Sequence, residues 1–286
     1  MAEVGPTMRR KQLGRQLRAL REAAGLRAED AAAALDCVRS RISHIETGRY
    51  GVRKPDLEVL LRLYGALDRL ETLEEMRREG SKPGWWSTYR LPEWLQAYIG
   101  VEDDAVAVRT FSLEAIPGLL QTEAYARAVH IDPLPSAQVG RRVAARAQRQ
   151  ARLTAPEPLA LSAVLSEAAL SRTLAMGGVG IGALRHIIAI AQQQPNISVR
   201  VLPFSAGAHR SMLGSFTLLS FDPEVSPPIA YQEYAVGAHL VDHQGDVQEL
   251  SDLYGQLRDQ ALGCDESLEL ISELTRRAQD EETSHG

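Results

Sequence analysis

GLRAEDAAAALDCVRSRISHIETGR, residues 25–49, reads as a short helix, a tight turn and a second short helix that ends on a glycine. The first of the two runs from about Arg27 to Ala34. Ala31 falls where two steeply crossing helices come closest, and only a small side chain fits there. The turn Leu35-Asp36-Cys37 follows, and Asp tolerates turn backbone better than most residues. The next helix spans about Val38 to Thr47, with Ile42 and Ile45 pointing inward and Gly48 as its stop. That leaves Arg39, Ser40, Arg41, Ser43 and His44 facing out.

The flanks extend this unit. RRKQLGRQLRALREAA, residues 9–24, sets Leu13, Leu17 and Leu20 on one face of a preceding helix, which Gly25 terminates. PDLEVLLRLYGALDRLETLEEMRRE, residues 55–79, predicts two further helices. Leu57, Leu60, Leu61 and Leu63 are expected to finish the core. Leu67, Leu70, Leu73 and Met76 form a helical face that is either core or a dimer contact. Glu46 is expected to pair with a helix-1 arginine such as Arg18, or with none. The short pair of helices with outward hydrogen-bonding side chains fits a helix-turn-helix that enters the major groove of DNA.

Bulk properties agree with a soluble globular protein of about two domains. The chain has 286 residues, 24% charged and 44% hydrophobic, within the ordinary globular range. It contains no run of 18 apolar residues, and MAEVGPTMRRKQ lacks the apolar core of a secretory signal. Cys37 and Cys264 are its two cysteines, without metal-type spacing, so a cytoplasmic, nucleoid-associated location is expected. The net charge of −5 hides an asymmetry. Residues 1–66 carry 13 Lys and Arg against 8 Asp and Glu, and the remainder carries 19 against 29. A basic head on an acidic body suits a head that meets a polyanion.

Residues 11–66 resemble the XRE family, the repressor/Cro-like helix-turn-helix proteins, in the order LGRQLRALREAAGL, the small alanine, SRISHIETGR and PDLEVLLRLYGAL. The resemblance implies that the third helix reads bases through Arg39, Ser40 and His44, with Arg41 close by. Its usual phosphate-binding Gln is replaced here by Arg27-Ala28, which leaves Arg27 to take that contact or the contact to be lost. Arg39 can donate a fork of hydrogen bonds to guanine, worth about 1–3 kcal/mol of discrimination. Ser43, and Arg49, Arg53 and Lys54 in an expected loop after the third helix, are candidates for phosphate contacts, which fix register without reading sequence.

Gly80-Ser81-Lys82-Pro83-Gly84 breaks the helical pattern and is read as a hinge between a domain at 9–80 and one at 83–280. Trp85, Trp86, Tyr89, Trp94 and Tyr98 then cluster, as an aromatic mini-core or a ligand pocket. Residues 136–153 predict a basic helix with Arg141, Arg142, Arg146, Arg149 and Arg152, a solvated or salt-bridged face or a second DNA contact. Strands are expected at 159–165, 197–202, 215–221 and 229–234, and helices at 166–174, 182–193, 243–262 and 266–280. The fold class expected is an all-α helix-turn-helix bundle plus an α+β domain with a small mixed sheet of about four strands.

This second region resembles the actinomycete domain of unknown function that follows XRE heads in WhiJ-like regulators. The stretches that match, in order, are PGWWSTYRLPEWLQAYIGVEDDAVAVRTFSLEAIPGLLQTEAYARA, LSEAALSR, PNISVRVLPFSAGAHRSMLGSFTLLSF and IAYQEY. The resemblance implies a regulator of development or secondary metabolism, often encoded beside a small partner protein. It implies no catalytic residues. Glycines replace the usual QL-type start of the 182–193 helix.

Other constellations read weakly. The glycines at 177, 178, 180 and 182 precede a helix and could cradle a phosphate, but a dinucleotide fingerprint needs a strand before it. His239, Asp242 and His243 have ligand-type side chains in a strand end and loop. His209 and Ser211 lack the elbow that a nucleophile requires. Glu114, Glu123 and Glu167 make no arguable acid pair. No enzyme activity, cofactor or metal is expected. The loop 203–214, PFSAGAHRSMLG, is the body's best candidate for partner or ligand contact. Taken together, the residues predict a sequence-specific, homodimeric DNA-binding transcriptional regulator, controlled through its C-terminal domain by a small partner protein or ligand. The alternative is an antitoxin-like protein that sequesters a small partner and autoregulates.

Overall fold

The computed structural model describes residues 6–129, 136–223, 225–234 and 237–285. The chain folds into two compact units. The first holds residues 1–88, 99–104 and 223–226, and the second holds 89–98, 105–222 and 227–286.

The first unit is helical: α1 Pro6–Ala23, α2 Ala28–Ala34, α3 Arg39–Glu46, α4 Lys54–Leu63 and α5 Leu70–Gly80. Leu13 and Leu17 of α1 pack with Ala31, Ile42, Ile45, Leu57, Leu60, Leu61 and Leu73 in one core. The turn between α2 and α3 passes through Asp36 at φ 48, the left-handed conformation expected of this residue type. Leu70 and Met76 pack on the core, whereas Leu63 and Leu67 stay in solvent, 36% and 44% exposed. Leu63 was expected inside. It sits one helical turn beyond Val59, which is also exposed, so the outer stripe of α4 is apolar as well as the inner one.

Two features clamp α1 to the C-terminal end of α3. Arg21 donates to both carboxylate oxygens of Glu46, at 2.6 and 2.9 Å, and to the Leu26 carbonyl at 2.8 Å. Both side chains are buried, and the hydrogen bond to Glu46 holds the Arg21 guanidinium above its ordinary pKa range. Glu46 thus pairs with a helix-1 arginine, as expected, but with Arg21; Arg18 instead bonds Glu22 one turn along its own helix. The second feature is a close backbone approach. A Cβ on Gly14 would lie 2.4 Å from the Ile45 carbonyl oxygen, and one on Gly48, at φ 71, would lie 2.7 Å from Lys11 Cα.

Around the tryptophans, Trp86 is buried and Trp85 meets it edge-on, with ring centroids 5.7 Å apart. Trp85 Nε1 donates to Asp103, and Gly100 sits where a Cβ would strike Thr7 and the Trp86 ring. These residues form an aromatic mini-core within the first unit. Tyr98 is assigned to the second unit, where it stacks on Tyr231 at 4.0 Å.

The second unit is built on a six-stranded mixed sheet in the order β3-β2-β1-β4-β5-β6. In chain order its elements, including the helix α6 that both units share, are α6 Glu93–Glu102, β1 Ala107–Ser112, α7 Glu123–Ala128, α8 Ser136–Gln150, β2 Ala160–Ser166, α9 Glu167–Leu174, α10 Gly178–Gln193, β3 Ile197–Leu202, β4 Phe216–Ser220, β5 Ile229–Tyr234, β6 Gly237–Val241, α11 Gln244–Gln260 and α12 Cys264–His285. β1, β2 and β3 run parallel, joined by helical crossovers. β4, β5 and β6 add on antiparallel. Val247, Tyr254 and Leu257 of α11 cover one face, over Phe111, Val164, Phe216 and Leu218. Buried Tyr254 donates its hydroxyl proton to Ser162, which satisfies the polar tip inside that core.

Four strands were expected, and β1 and β6 are the additions. β1 escapes the sequence pattern because Arg109 and Thr110 interrupt its apolar run. Both are accommodated locally: Thr110 bonds Thr217 and the Phe216 carbonyl, and Arg109 lies 5.6 Å over the Tyr254 ring. β6 is an edge strand with His239 outward, so it needs little apolar content.

The glycine run, expected to precede its helix, instead caps α10 and forms its first turns, and it serves packing. A Cβ on Gly180 would lie 1.8 Å from the Thr173 carbonyl oxygen, and one on Gly177 would lie 2.7 Å from a carboxylate oxygen of Glu282. An acidic neighbour is the wrong chemistry for a phosphate cradle.

Two outcomes follow from these contacts. Arg21→Met leaves Glu46 buried without its cation and is expected to cost about 3–5 kcal/mol in denaturant unfolding, most of it restored in the Arg21→Met/Glu46→Leu double variant. Gly14→Ala and Gly180→Ala each drive a methyl into backbone and are expected to cost at least about 1–3 kcal/mol by the same measurement.

Candidate nucleic-acid interface

α3 is eight residues long, and its two sides are chemically opposite. Ile42, Ile45 and Glu46 are buried, and Arg39, Ser40 and Ser43 are exposed. Val38 caps its N-terminus with extended backbone and contributes no side-chain acceptor, and no acid occupies the first turn. The leading backbone N–H groups therefore add positive potential to the arginines beside them.

The candidate base-contacting residues differ in how firmly they are held. Arg39 pairs with Glu29 at 3.0 Å, but the two side chains are 73% and 59% exposed, so solvent screens the pair and it exchanges readily. Ser40 is open to solvent. Arg41 is half-buried and bonds Asp56 at 2.6 Å, with Asp56 only 13% exposed. A base contact by Arg41 requires giving up that carboxylate. His44 is half-exposed, and its ring meets Tyr50 edge-on at 4.7 Å.

The candidate phosphate-contacting residues surround this helix. Arg27 is the N-cap of α2, exposed, with its backbone N–H bonded to Asp30 at 2.7 Å. Ser43 lies on the outer side of α3, and Arg49 is exposed just beyond it. Arg53 and Lys54 were expected in a loop. Arg53 is the N-cap of α4 and Lys54 is its first residue, both exposed, with Arg53 sharing Asp56 with Arg41. Asp56 thus joins the start of α4 to the first turn of α3.

Two residues at this surface were not singled out from the sequence. Val38 is 70% exposed and Tyr50 is 53% exposed. A large apolar side chain left in solvent at a helix start is the signal that would have found Val38.

In the second unit, the ligand-type side chains remain dispersed. His239 lies against Tyr234, and His243 caps α11 and approaches Asp246 at 3.3 Å. Among the described residues no three His, Cys, Asp or Glu side chains are grouped to hold a metal ion. Ser211 donates to the Gly214 carbonyl, and His209 packs edge-on against Phe111, where burial lowers its imidazole pKa. Glu114 pairs with Arg172, Glu123 with Arg127, and Glu167 accepts the Phe204 N–H, so the three acids have separate tasks. The loop 203–214 exposes Phe204, Met212 and Leu213. α8 departs from a solvated face: Arg149 is buried with its guanidinium 5.1 Å over the Tyr98 ring, and Arg146 is largely buried as well. Regular i, i+3 and i, i+4 charge spacing looks the same on a buried face as on an exposed one.

No helix is long and apolar enough to cross a membrane among the described residues. No curated protein and no solved structure matches the chain. Residues 12–74 match the family model of a helix-turn-helix domain, the DNA-reading module of regulators, so the region around α3 is of that kind. Residues 95–273, more than half of the chain, match the model of a domain of unknown function, DUF5753, and the chain belongs to that family.

Proposed function

We propose that this protein is a sequence-specific, homodimeric transcriptional regulator that sets α3 into the major groove of double-stranded DNA. The observation that carries the reading is the outer side of α3. It offers Arg39, Ser40 and Ser43 to solvent on a helix whose inner side is locked by Ile42, Ile45 and Glu46. Arg39 takes a guanine edge, Ser40 and His44 the adjoining bases, and Arg41 follows once Asp56 is exchanged. Val38 has the apolar surface to meet a thymine methyl group. Arg27, Ser43, Arg49, Arg53 and Lys54 hold phosphates.

A single head of this size buries too little DNA for tight specific binding, and two-fold related heads read half-sites about one helical turn apart. Val59, Leu63 and Leu67, apolar and in solvent, give such a dimer a surface to bury. Residues 9–80 act as the DNA-binding domain and residues 83–280 as the regulatory domain. That second domain responds to a small partner protein or ligand through a coupling free energy, without catalysis. The working location is the cytoplasm, on the nucleoid.

In-vitro selection of bound sequences from a random duplex pool is expected to return a near-palindromic site. Arg39→Ala is expected to lose about 1–3 kcal/mol on that site and to relax preference at one base position per half-site. Arg53→Gln or Lys54→Gln is expected to weaken all sequences alike and to lower the slope of log affinity against log salt by about one. No enrichment from the pool, or a site preference untouched by Arg39→Ala, rejects the reading.

A further inference from the structure

The turn between α3 and α4 holds a tyrosine in solvent beside the last base-facing side chain of α3. Tyr50 is 53% exposed, yet the chain around it is fixed. Its backbone N–H donates to the His44 carbonyl at 3.0 Å. Thr47 Oγ1 donates to the Ser43 carbonyl at 2.8 Å and closes the end of α3. Gly48 packs against the Lys11 backbone, and Val52 is buried in the helical core. The exposure of the Tyr50 ring is therefore a property of an anchored turn.

That ring has a neighbour. It meets the His44 imidazole edge-on, with centroids 4.7 Å apart and planes at 76°. Aromatic rings favour this arrangement. His44 is half-exposed, one turn beyond Ser40 on α3. An imidazole in that position otherwise samples several rotamers, and a base contact must stop the motion at an entropic cost. The Tyr50 ring restricts it beforehand. The core does not require an aromatic side chain here, because Val52 is the apolar anchor of the turn.

The hydroxyl can act separately. Arg49 and Arg53, both candidate phosphate contacts, flank Tyr50 in sequence and are exposed as it is. A tyrosine hydroxyl donates to a phosphate oxygen without carrying charge.

We propose that Tyr50 is a positioning residue for His44: its ring sets the imidazole for base reading, and its hydroxyl donates to the adjoining phosphate. This role rests on the reading of α3 as the helix that meets bases.

The test is binding of the full chain to a selected duplex and to duplexes altered at single base positions. His44→Ala first marks the position that His44 reads. Tyr50→Leu is expected to reduce preference at that position by about two- to tenfold, the range of an aromatic pair, and to leave the position read by Arg39 unchanged. Added to His44→Ala, it is expected to reduce preference there no further. Tyr50→Phe keeps the ring and is expected to keep the parent preference. It loses the hydroxyl and is expected to weaken all duplexes alike by about two- to tenfold. The slope of log affinity against log salt is expected to stay at the parent value, because a neutral donor releases no counterion. Both Tyr50 variants are expected to unfold at the parent midpoint, since the side chain is exposed.

Parent preference retained in Tyr50→Leu overturns the positioning role, as does the same loss at that position in Tyr50→Phe. A loss spread over all positions with a lowered unfolding midpoint assigns Tyr50 to the fold and overturns it too. So does a His44→Ala protein whose preference is unchanged everywhere. Unchanged affinity in Tyr50→Phe overturns the phosphate contact. All of these outcomes leave the effect of Arg39→Ala standing, whereas failure to select any site rejects the DNA reading itself.

Discussion

The buried pair between Arg21 and Glu46 is the constraint on which the N-terminal unit depends. It joins the last turn of α1 to the last turn of α3, with the Leu26 carbonyl taking a further donor. Two buried charges are tolerable only when each satisfies the other, and the bidentate geometry does this. The pair fixes an angle and not merely a distance, because a fork bonded to both carboxylate oxygens permits little rotation. Gly14 and Gly48 then bring the two helices to backbone contact. With its inner side bolted at one end and Ile42 in the core, α3 has a single way to present Arg39 and Ser40.

The surface charges work on a different scale. The Arg39–Glu29 pair is exposed, screened and exchangeable, whereas the Arg41–Asp56 pair is half-buried and links α3 to α4. Two arginines only two positions apart are thereby divided into one ready to leave its partner and one that braces the helix. The C-terminal unit places its charges otherwise. α8 turns Arg146 and Arg149 inward over Gly118, and the strands around Arg109 and Thr110 absorb polar groups through specific partners.

The N-terminal unit was legible because its information is local. Leucine periodicity, Gly25 and Gly48 as stops, Asp36 in the turn and Ala31 at the crossing each act within a few residues. Its departures were choices among near neighbours: the helix-1 arginine that pairs with Glu46 is Arg21, three residues beyond Arg18, and Leu63 sits on an α4 that is apolar on two sides. The C-terminal unit was legible as alternating strands and helices, but β1 was hidden by Arg109 and Thr110, whose partners come from β4 and α11. The inward arginines of α8 were hidden for the same reason. The Tyr98 ring and the packed turn at Gly118 distinguish them from a solvated face, and both are distant in sequence.

The central claim is that the outward first turn of α3, held by the Arg21–Glu46 pair, is the surface that meets DNA bases. The most direct measurement is site-specific photocrosslinking in a background with Cys37 and Cys264 replaced by serine. A probe at Ser40→Cys on α3 is compared with one at Ala19→Cys on the exposed side of α1, on a selected DNA site. The account predicts base-position-specific crosslinks from Ser40→Cys and none of that kind from Ala19→Cys. Equal crosslinking from both positions, or crosslinks from Ala19→Cys alone, would contradict it.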